Sequence, residues 1–312
     1  MSRFSIIDPN QLPAMVVIVP TDSEATLVER MTALKTRWTE YDPPMGAQYD
    51  VEGLEFDPIK INQEVNTDLH VKLEDRVNQA ARALTLVHAI GGDLDAIASR
   101  YPGGVPRATS ETYDVLTTPL IEQRRMDNRY RRRIWLAANA FSTAGAEEAY
   151  VFHALTAVPT LKDASAVLVH LSRYDQEVVV TLMADRPDPK PTTAEIEAAR
   201  SHLHKPTVKP LTAVVRVAGV VVINTKYVID ITLLPAIDET SIMAQIRAAV
   251  DAHIEAQRVL GGDHTLAAIY DAAFVPGVHN VRIREPVADI LVNARQAVRV
   301  TEVELRMVGR AE

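Results

Sequence analysis

The spacing of apolar residues changes near residue 158, from a helical period to a strand period. Before that point, apolar side chains recur every three or four residues, which is the pattern of one face of an α-helix. After it, short segments alternate between apolar and polar residues, which is the pattern of a half-buried β-strand. The sequence therefore predicts an α+β fold, in which a helical N-terminal half of long bundle-type helices is followed by small α+β domains.

The first predicted helix starts at a capping box and ends at a pair of prolines. In Thr21-Asp22-Ser23-Glu24, the threonine hydroxyl can accept a hydrogen bond from the glutamate amide. Asp42-Pro43-Pro44 ends the helix because proline lacks a backbone donor and restricts the residue before it, and residues 45–58 are predicted to form a loop. The apolar stripe of this helix consists of Leu27, Met31, Leu34 and Trp38.

The longest predicted helix carries a near-heptad apolar seam between residues 65 and 87. This spacing suits packing against another helix, either within the chain or in a partner. Gly91-Gly92-Asp93 is predicted to end the helix and to let Asp93 cap a short helix that reaches Ser99. The seam consists of Val65, Leu69, Leu73, Val77, Ala80, Leu84 and Val87.

The remaining chain is predicted to combine helices with short strands. An exposed connector over residues 101–120 leads into helices at 121–141 and 146–155, with a hinge at 143–145. A second capping box, from Thr192 to Glu195, starts another helix, and further helices follow at 242–254 and 266–270. Strands are predicted at 164–171, 177–183, 213–217, 220–224, 227–234, 281–283 and 297–307, with a bulge or a break in the last at 301–302. The predicted regions are 1–118, 119–207 and 208–312.

Composition excludes several classes of protein. The 312 residues hold 33 Lys and Arg against 41 Asp and Glu, and this net charge of −8 argues against binding to nucleic-acid backbones. Cysteine is absent, which excludes disulfide scaffolds, thiolate zinc sites, iron–sulfur clusters and cysteine nucleophiles. No apolar run approaches the roughly 20 residues that cross a bilayer. We therefore expect no cofactor, no membrane association and no nucleic-acid partner for a cytosolic or assembly-bound protein.

A cluster of arginines lies in the helix predicted at 121–141. One interpretation is a phosphate-binding strip. A helix spreads six residues around its whole circumference, however, so they cannot form one stripe, and the acidic chain supplies many ionic partners. We therefore favour structural ion pairs or a protein–protein interface, in which arginine is common. The cluster consists of Arg124, Arg125, Arg129, Arg131, Arg132 and Arg133.

Two neighbouring histidines, His202 and His204, are the clearest candidates for a metal pair. On a helix, residues two apart point about 200° away from each other, and no carboxylate follows at a zinc-ligand spacing. We interpret them as surface histidines at a helix C-terminus, where the helix dipole favours positive charge. The sequence also lacks a Gly-x-Ser-x-Gly elbow, a His-Glu-x-x-His pair, a phosphate loop and a dinucleotide fingerprint, so we predict that the protein is not an enzyme.

Several short segments, taken in order, cover nearly the whole chain and point to one family. They begin with Ile6-Ile7-Asp8 and Gln11-Leu12-Pro13, and they include Tyr130-Arg131-Arg132-Arg133-Ile134. The others are residues 76–83, 92–97, 144–145, 149–150, 153–154, 260–261, 266, 268–270, 277–278 and 286–290. In this order they resemble the baseplate protein J family of contractile-tailed temperate phages, the P-two-like and Mu-like wedge proteins. The chain departs from the family pattern at residues 116–128 and 208–213.

The resemblance implies a structural role in the baseplate of the virion tail, with assembly in the host cytoplasm. Family members are wedge subunits, in which a pair of J-like chains joins one protein I-type chain. The helical half would bundle with this partner, and the C-terminal domains would bridge neighbouring wedges around the hub. The ring would hold the first layer of the sheath and trigger sheath contraction. The implied partners are the protein I-type subunit, a second copy of the chain, and hub and sheath-initiating proteins.

Two contact surfaces follow as hypotheses. The seam would be buried by a partner helix, and the arginines would form polar contacts that repack when the ring changes shape. We expect a variant with alanine at positions 131, 132 and 133 to stay folded but to assemble poorly. The predicted interface residues are Val65, Leu69, Leu73, Val77, Leu84, Arg129, Arg131, Arg132 and Arg133.

Three alternatives remain open at this point. The same structural role could belong to a phage-tail-like bacteriocin or an injection particle. A metal-dependent hydrolase would need His202, His204 or His264 to bind a metal ion. A nucleic-acid-binding module would show a steep dependence of its affinity on salt.

Overall fold

The computed structural model describes most of the chain and has the predicted α+β architecture. The described residues are 13, 15–19, 22–48, 56–101, 103–140, 145–170, 172, 176–235 and 238–311. Helices fill the first half of this part, and two three-stranded sheets with flanking helices follow. The chain forms two compact units: the first is residues 7–100, and the described part of the second starts at Tyr101. The predicted boundaries at residues 118 and 207 stay predictions.

The first unit is helical, with α1 (Ser23–Tyr41), α2 (Pro43–Gln48), α3 (Pro58–Ala83) and α4 (Gly92–Ala98). The residue that caps α1 is Asp22, whose carboxylate accepts from the Glu24 amide at 3.0 Å, and the predicted cap Thr21 lies outside the described residues. Helix α2 corrects the predicted loop. Prolines at the start of a helix lose no hydrogen bond, so Pro43 and Pro44 begin α2 after they end α1.

The bounds of α3 differ from the prediction at both ends. Asp57 caps the helix, because its Oδ1 atom accepts from the amide of Ile59 at 2.6 Å, so the helix starts well before residue 65. It ends at Ala83, and the seam residues 84 and 87 lie in the turns beyond it. The predicted cap of α4 was wrong. Gly91 takes that position at a φ of 52°, without a side-chain hydrogen bond, and Asp93 lies inside the helix.

The first sheet of the second unit, with its flanking helices, confirms the predicted hairpin. Its elements are α5 (Leu120–Ala140), α6 (Glu147–Ala157), β1 (Leu161–His170), β2 (Gln176–Ala184), α7 (Thr193–Leu203) and β3 (Val215–Gly219). Strands β1 and β2 pair antiparallel, and β3 pairs parallel to β2. The second capping box is present, with Thr192 and Glu195 bonded in both directions. Side chains of α6, α7 and the sheet form one core.

The second sheet of this unit has β4 (Val221–Leu233) as its central strand. The other elements are α8 (Glu239–Gln257), α9 (Leu266–Ala273), β5 (Val278–Glu285) and β6 (Gln296–Arg310). Strand β4 pairs antiparallel to β5 and parallel to β6. The predicted bulge is confirmed, because Thr225 faces Val300 and Lys226 faces Glu302, which leaves Thr301 as an extra residue. Helix α8 packs on this sheet and buries Ile242 in its core.

Two predictions for the second unit need correction. The strands predicted at 220–224 and 227–234 are one strand, because the polar residues between them stay paired with β6. The connector over 101–120 is not fully exposed: it contains a 3₁₀ turn, Thr109–Glu111, and buries Val105 and Glu111. Of the predicted hinge, residues 143 and 144 lie outside the described part, and Gly145 has a φ of 73°. No helix in the described ranges has the length and apolar character needed to cross a membrane.

Candidate partner-binding surfaces

The predicted seam of α3 lies on an exposed face of the helix. Val65, Leu69 and Leu73 expose 53%, 57% and 61% of their surface. Ile61, one turn earlier, extends the row and was missed because the predicted helix started too late. Large apolar side chains at steps of about four residues lie next to one another on a helix. We call Ile61, Val65, Leu69, Leu73 and Val77 the α3 stripe, and Leu84, which is also exposed, caps the helix beyond it.

The buried face of α3 is polar. Thr67, Glu74 and Asn78 are almost fully covered. The Asn78 Oδ1 atom accepts from the amides of Val17 at 2.8 Å and Ile18 at 3.0 Å, and its Nδ2 atom donates to the Ile18 carbonyl at 2.8 Å. Buried polar groups are tolerated when they are hydrogen-bonded. The most deeply buried residues of α3 are therefore polar, and its apolar stripe stays exposed.

The second candidate surface, the arginines of α5, is largely occupied by contacts within the second unit. Arg129 Nη1 lies 2.6 Å from Asp185 Oδ2, and its Nη2 atom donates to the carbonyls of Pro159 at 2.7 Å and Leu161 at 2.6 Å. Asp185 also binds Arg258 at 2.6 Å. Burial lowers the pKa of Arg129, although the Asp185 carboxylate acts in the opposite direction. Arg129 therefore fixes α5 to the start of the first sheet.

Arg133 is the most deeply buried arginine of the cluster. It pairs with Glu111 at 2.8 Å and is 3% exposed. The neighbouring Tyr130 hydroxyl donates to the Val105 carbonyl at 2.7 Å, and the Arg107 guanidinium lies 4.4 Å from the centre of the Tyr130 ring. These contacts attach the segment before α5 to the helix itself.

The other four arginines differ in exposure. Arg132 is ion-paired with Asp163, and Arg131 is buried beside Asn128, where burial lowers its pKa. Arg124 and Arg125 are exposed. The structure thus gives the four predicted interface arginines contacts within the chain, which is one of the two roles that the sequence suggested. Their contact with a partner stays a prediction.

The candidate metal histidines lie in three different settings. His202 is half-buried, and its Nε2 atom lies 3.4 Å from Nδ1 of His153, a residue that the sequence did not indicate as a metal candidate. His204 is exposed at the end of α7, as predicted, with Nδ1 2.8 Å from the Arg200 carbonyl. His264, between α8 and α9, is fully buried. Across the described residues, no three His, Asp or Glu side chains are grouped so that they could hold a metal ion.

Comparison with known proteins agrees with the resemblance in the sequence. Residues 55–114, which include the α3 stripe, match the family model of the baseplate J-like N-terminal domain. Over 310 residues the chain is 31% identical to baseplate protein J of Escherichia phage P2. The aligned region covers 98% of this chain and 99% of the relative. The α+β units and these matches define a structural component of a phage tail baseplate, located in the virion tail. The chain belongs to the baseplate protein J family.

Proposed function

We propose that the protein is a wedge subunit that binds a helix of a partner subunit through the α3 stripe. In this role it joins a protein I-type subunit and a second copy of itself, and its second unit contacts neighbouring wedges around the hub. The wedge holds the first sheath layer and takes part in triggering contraction. No catalytic step or cofactor belongs to this role. The exposure of the α3 stripe is the observation that carries the proposal.

The energy of burying the stripe indicates how it would be used. Complete burial of a Leu, Ile or Val side chain is worth about 1.5–3 kcal/mol, so five half-exposed side chains would contribute on the order of 5 kcal/mol. Association costs an estimated 4–15 kcal/mol in lost freedom, roughly the same amount or more. The stripe would therefore select and orient a partner helix as one part of a larger interface.

The arginines of α5 are proposed to act on assembly in two ways. Arg131 and Arg133 are buried, so they would act by fixing the position of α5. Arg129 and Arg132 each keep 22% of their side chain exposed, which leaves room for contact with a partner. Such contacts would be exchangeable, because partly exposed ion pairs are worth little individually.

The test is co-expression of the chain with the product of the gene immediately downstream, followed by pull-down and native mass measurement. We expect a stable complex with two copies of this chain for each partner. A variant with Leu69→Glu and Leu73→Glu should fail to form the complex, because charged groups would face the partner helix. Its fold should persist, because both leucines are more than half exposed.

The matched control carries Leu116→Glu and Leu120→Glu, which make the same chemical change at residues that are 94% and 72% exposed. This control should assemble normally. If the stripe variant assembles as well as the control, the α3 stripe is not the binding surface. If the unaltered chain does not bind the product of the downstream gene, the wedge pairing itself is wrong.

A further inference from the structure

A large cavity in the second unit is not used by the proposed contact of α3. It encloses about 850 Å³ beside α6, the end of α7 and the segment that follows α7. Protein ligand sites commonly enclose about 300–1,000 Å³. We call it the basic cavity. The described residues that form its polar wall are Arg133, His153, Thr156, His202, Lys205, Thr207, Lys209 and Thr212.

The charged side chains on this wall are cationic. Lys205, Lys209 and Arg133 line the cavity, and the described part of the wall contains no Asp or Glu. Glu111 neutralises Arg133 from behind, so the two lysines leave the cavity positive in a chain whose net charge is −8.

The two histidines of the cavity form a directional chain of hydrogen bonds. His153 Nε2 lies 3.3 Å from the Ala140 carbonyl, which can only accept, so this nitrogen carries the proton and Nδ1 is the acceptor. His202 Nε2 donates to that Nδ1 at 3.4 Å. The Lys205 ammonium, which can only donate, lies 3.4 Å from His202 Nδ1. Both imidazoles are therefore neutral, and burial lowers the pKa of each.

This chain of bonds is long and weak. Its distances of 3.3–3.4 Å exceed the usual range of about 2.7–3.2 Å for such bonds. Lys205 contacts the His202 imidazole, and the other cationic groups that line the cavity are Arg133 from α5 and Lys209 from the segment after α7. A carboxylate placed among them would pair with the lysines and would favour protonation of an imidazole.

The rest of the wall is largely apolar. Val105, Phe152 and Val208 line it, together with Leu211, which is 92% exposed. Apolar walls with a few placed charges are typical of ligand-binding sites. An acidic peptide with apolar side chains between its carboxylates fits this combination better than a small inorganic anion.

We propose that the basic cavity binds an acidic peptide segment of a neighbouring baseplate subunit, with carboxylates on Lys205 and Lys209 and proton uptake by the His153–His202 pair. The source of the segment rests on the proposed wedge function. The chemistry of the site does not, because it follows from the residues of the cavity alone.

The test is calorimetric titration of the full chain with a capped peptide that alternates three aspartates with three leucines. The same peptide with asparagine in place of each aspartate is the neutral probe. Only the acidic peptide should bind. Its affinity should rise about threefold to tenfold between pH 7.5 and pH 5.5, because proton uptake is linked to binding. The variant with Lys205→Glu and Lys209→Glu should bind at least about tenfold more weakly, since two charge-assisted contacts are lost.

The matched control carries Lys72→Glu and Lys190→Glu, which change the net charge equally at exposed positions outside the cavity. Equal weakening by both variants would mean general attraction and would overturn the proposal. Binding of inorganic phosphate without binding of the peptide would also overturn it. A rise in affinity at low pH that persists after His153→Asn and His202→Asn would refute the proton uptake. Since no baseplate partner is present, failure here leaves the wedge pairing through the α3 stripe untouched.

Discussion

Arg133 is an arginine whose charge is both buried and paired. Its partner Glu111 is 4% exposed, so removing the guanidinium leaves a buried carboxylate without its ion-pair partner. Breaking a buried pair from one side costs about 3–5 kcal/mol. We therefore expect Arg133→Ala to lower the free energy of unfolding by this amount, measured by urea denaturation. These contacts predict the opposite of the sequence-based expectation that residues 131–133 can be replaced together without loss of the fold.

The matched control for this prediction is Arg124→Ala. Arg124 is exposed on the same helix, and substitutions of this kind usually change stability by less than about 0.5 kcal/mol. If both variants unfold at the same urea concentration as the unaltered chain, the buried pair contributes nothing to stability.

His264 makes the stability of the second unit depend on pH. Burial lowers its pKa to about 4, and the hydroxyl of Tyr227 contacts its Nδ1 atom. As pH falls, the unfolded chain binds the proton first, near the ordinary histidine pKa of about 6.5. The contribution of His264 to the free energy of unfolding is therefore fully present above about pH 6.5. It is lost as the pH falls from about 6.5 to 4, by roughly 3 kcal/mol.

The measurement is the free energy of unfolding as a function of pH. His264→Asn should flatten the curve across this window, whatever its stability at neutral pH. A slope in the His264 variant equal to that of the unaltered chain would assign the pH dependence to other groups.

At the scale of elements, α1 and α2 approach each other closely at Gly46. A Cβ atom there would lie 2.5 Å from the Thr39 Cα and N atoms, which belong to the backbone of α1 and cannot turn aside. Gly46→Ala should therefore force the helices apart and destabilise the first unit by about 1–3 kcal/mol. Gly92→Ala is the control, because nothing lies within 4 Å of its Cβ position and alanine favours the helix. Similar melting temperatures for both variants would contradict the close approach.

Elements set by local chemistry could be predicted from the sequence, and those set by distant contacts could not. The capping box at Thr192 and the bulge at Thr301 depend on a few adjacent residues. By contrast, the residues that join the two predicted strands into β4, from 224 to 226, are polar and resemble a turn. They continue the strand because residues of β6, far along the chain, pair with them.

The candidate surfaces show the same division. The period of α3 located the apolar stripe. The opposite, buried face of the helix could not be predicted, because the contact of Asn78 with residues 17 and 18 spans about 60 positions. Composition predicted that the arginines of α5 would find acidic partners. Their identity depends on the fold, since Glu111 precedes Arg133 by 22 residues and Asp185 follows Arg129 by 56. The pairing of His153 with His202 could not be predicted, because the two residues lie 49 positions apart.

For the whole molecule, the division into units depends on the segment between residues 101 and 118. The sequence assigned it to the N-terminal region, which ends at 118 in that prediction. In the structure, its Val105 carbonyl and Glu111 carboxylate bind side chains of α5, and the compact second unit starts at Tyr101. A fragment that lacks this segment would keep Arg133 and Tyr130 but lose their partners.

We therefore predict that a fragment of residues 101–312 folds cooperatively, whereas a fragment of residues 119–312 is less stable by at least about 3 kcal/mol. The reason is that the shorter fragment loses the Glu111 partner of Arg133, the Val105 partner of Tyr130 and the packing of their segment against α5, while both fragments keep the cores of the two sheets. Urea denaturation of the two purified fragments, followed by circular dichroism, measures the difference. Adding Arg133→Ala to each fragment is the control: it should destabilise the longer fragment strongly and the shorter one little. Equal stability of the unaltered fragments would place the boundary at residue 118, as the sequence predicted.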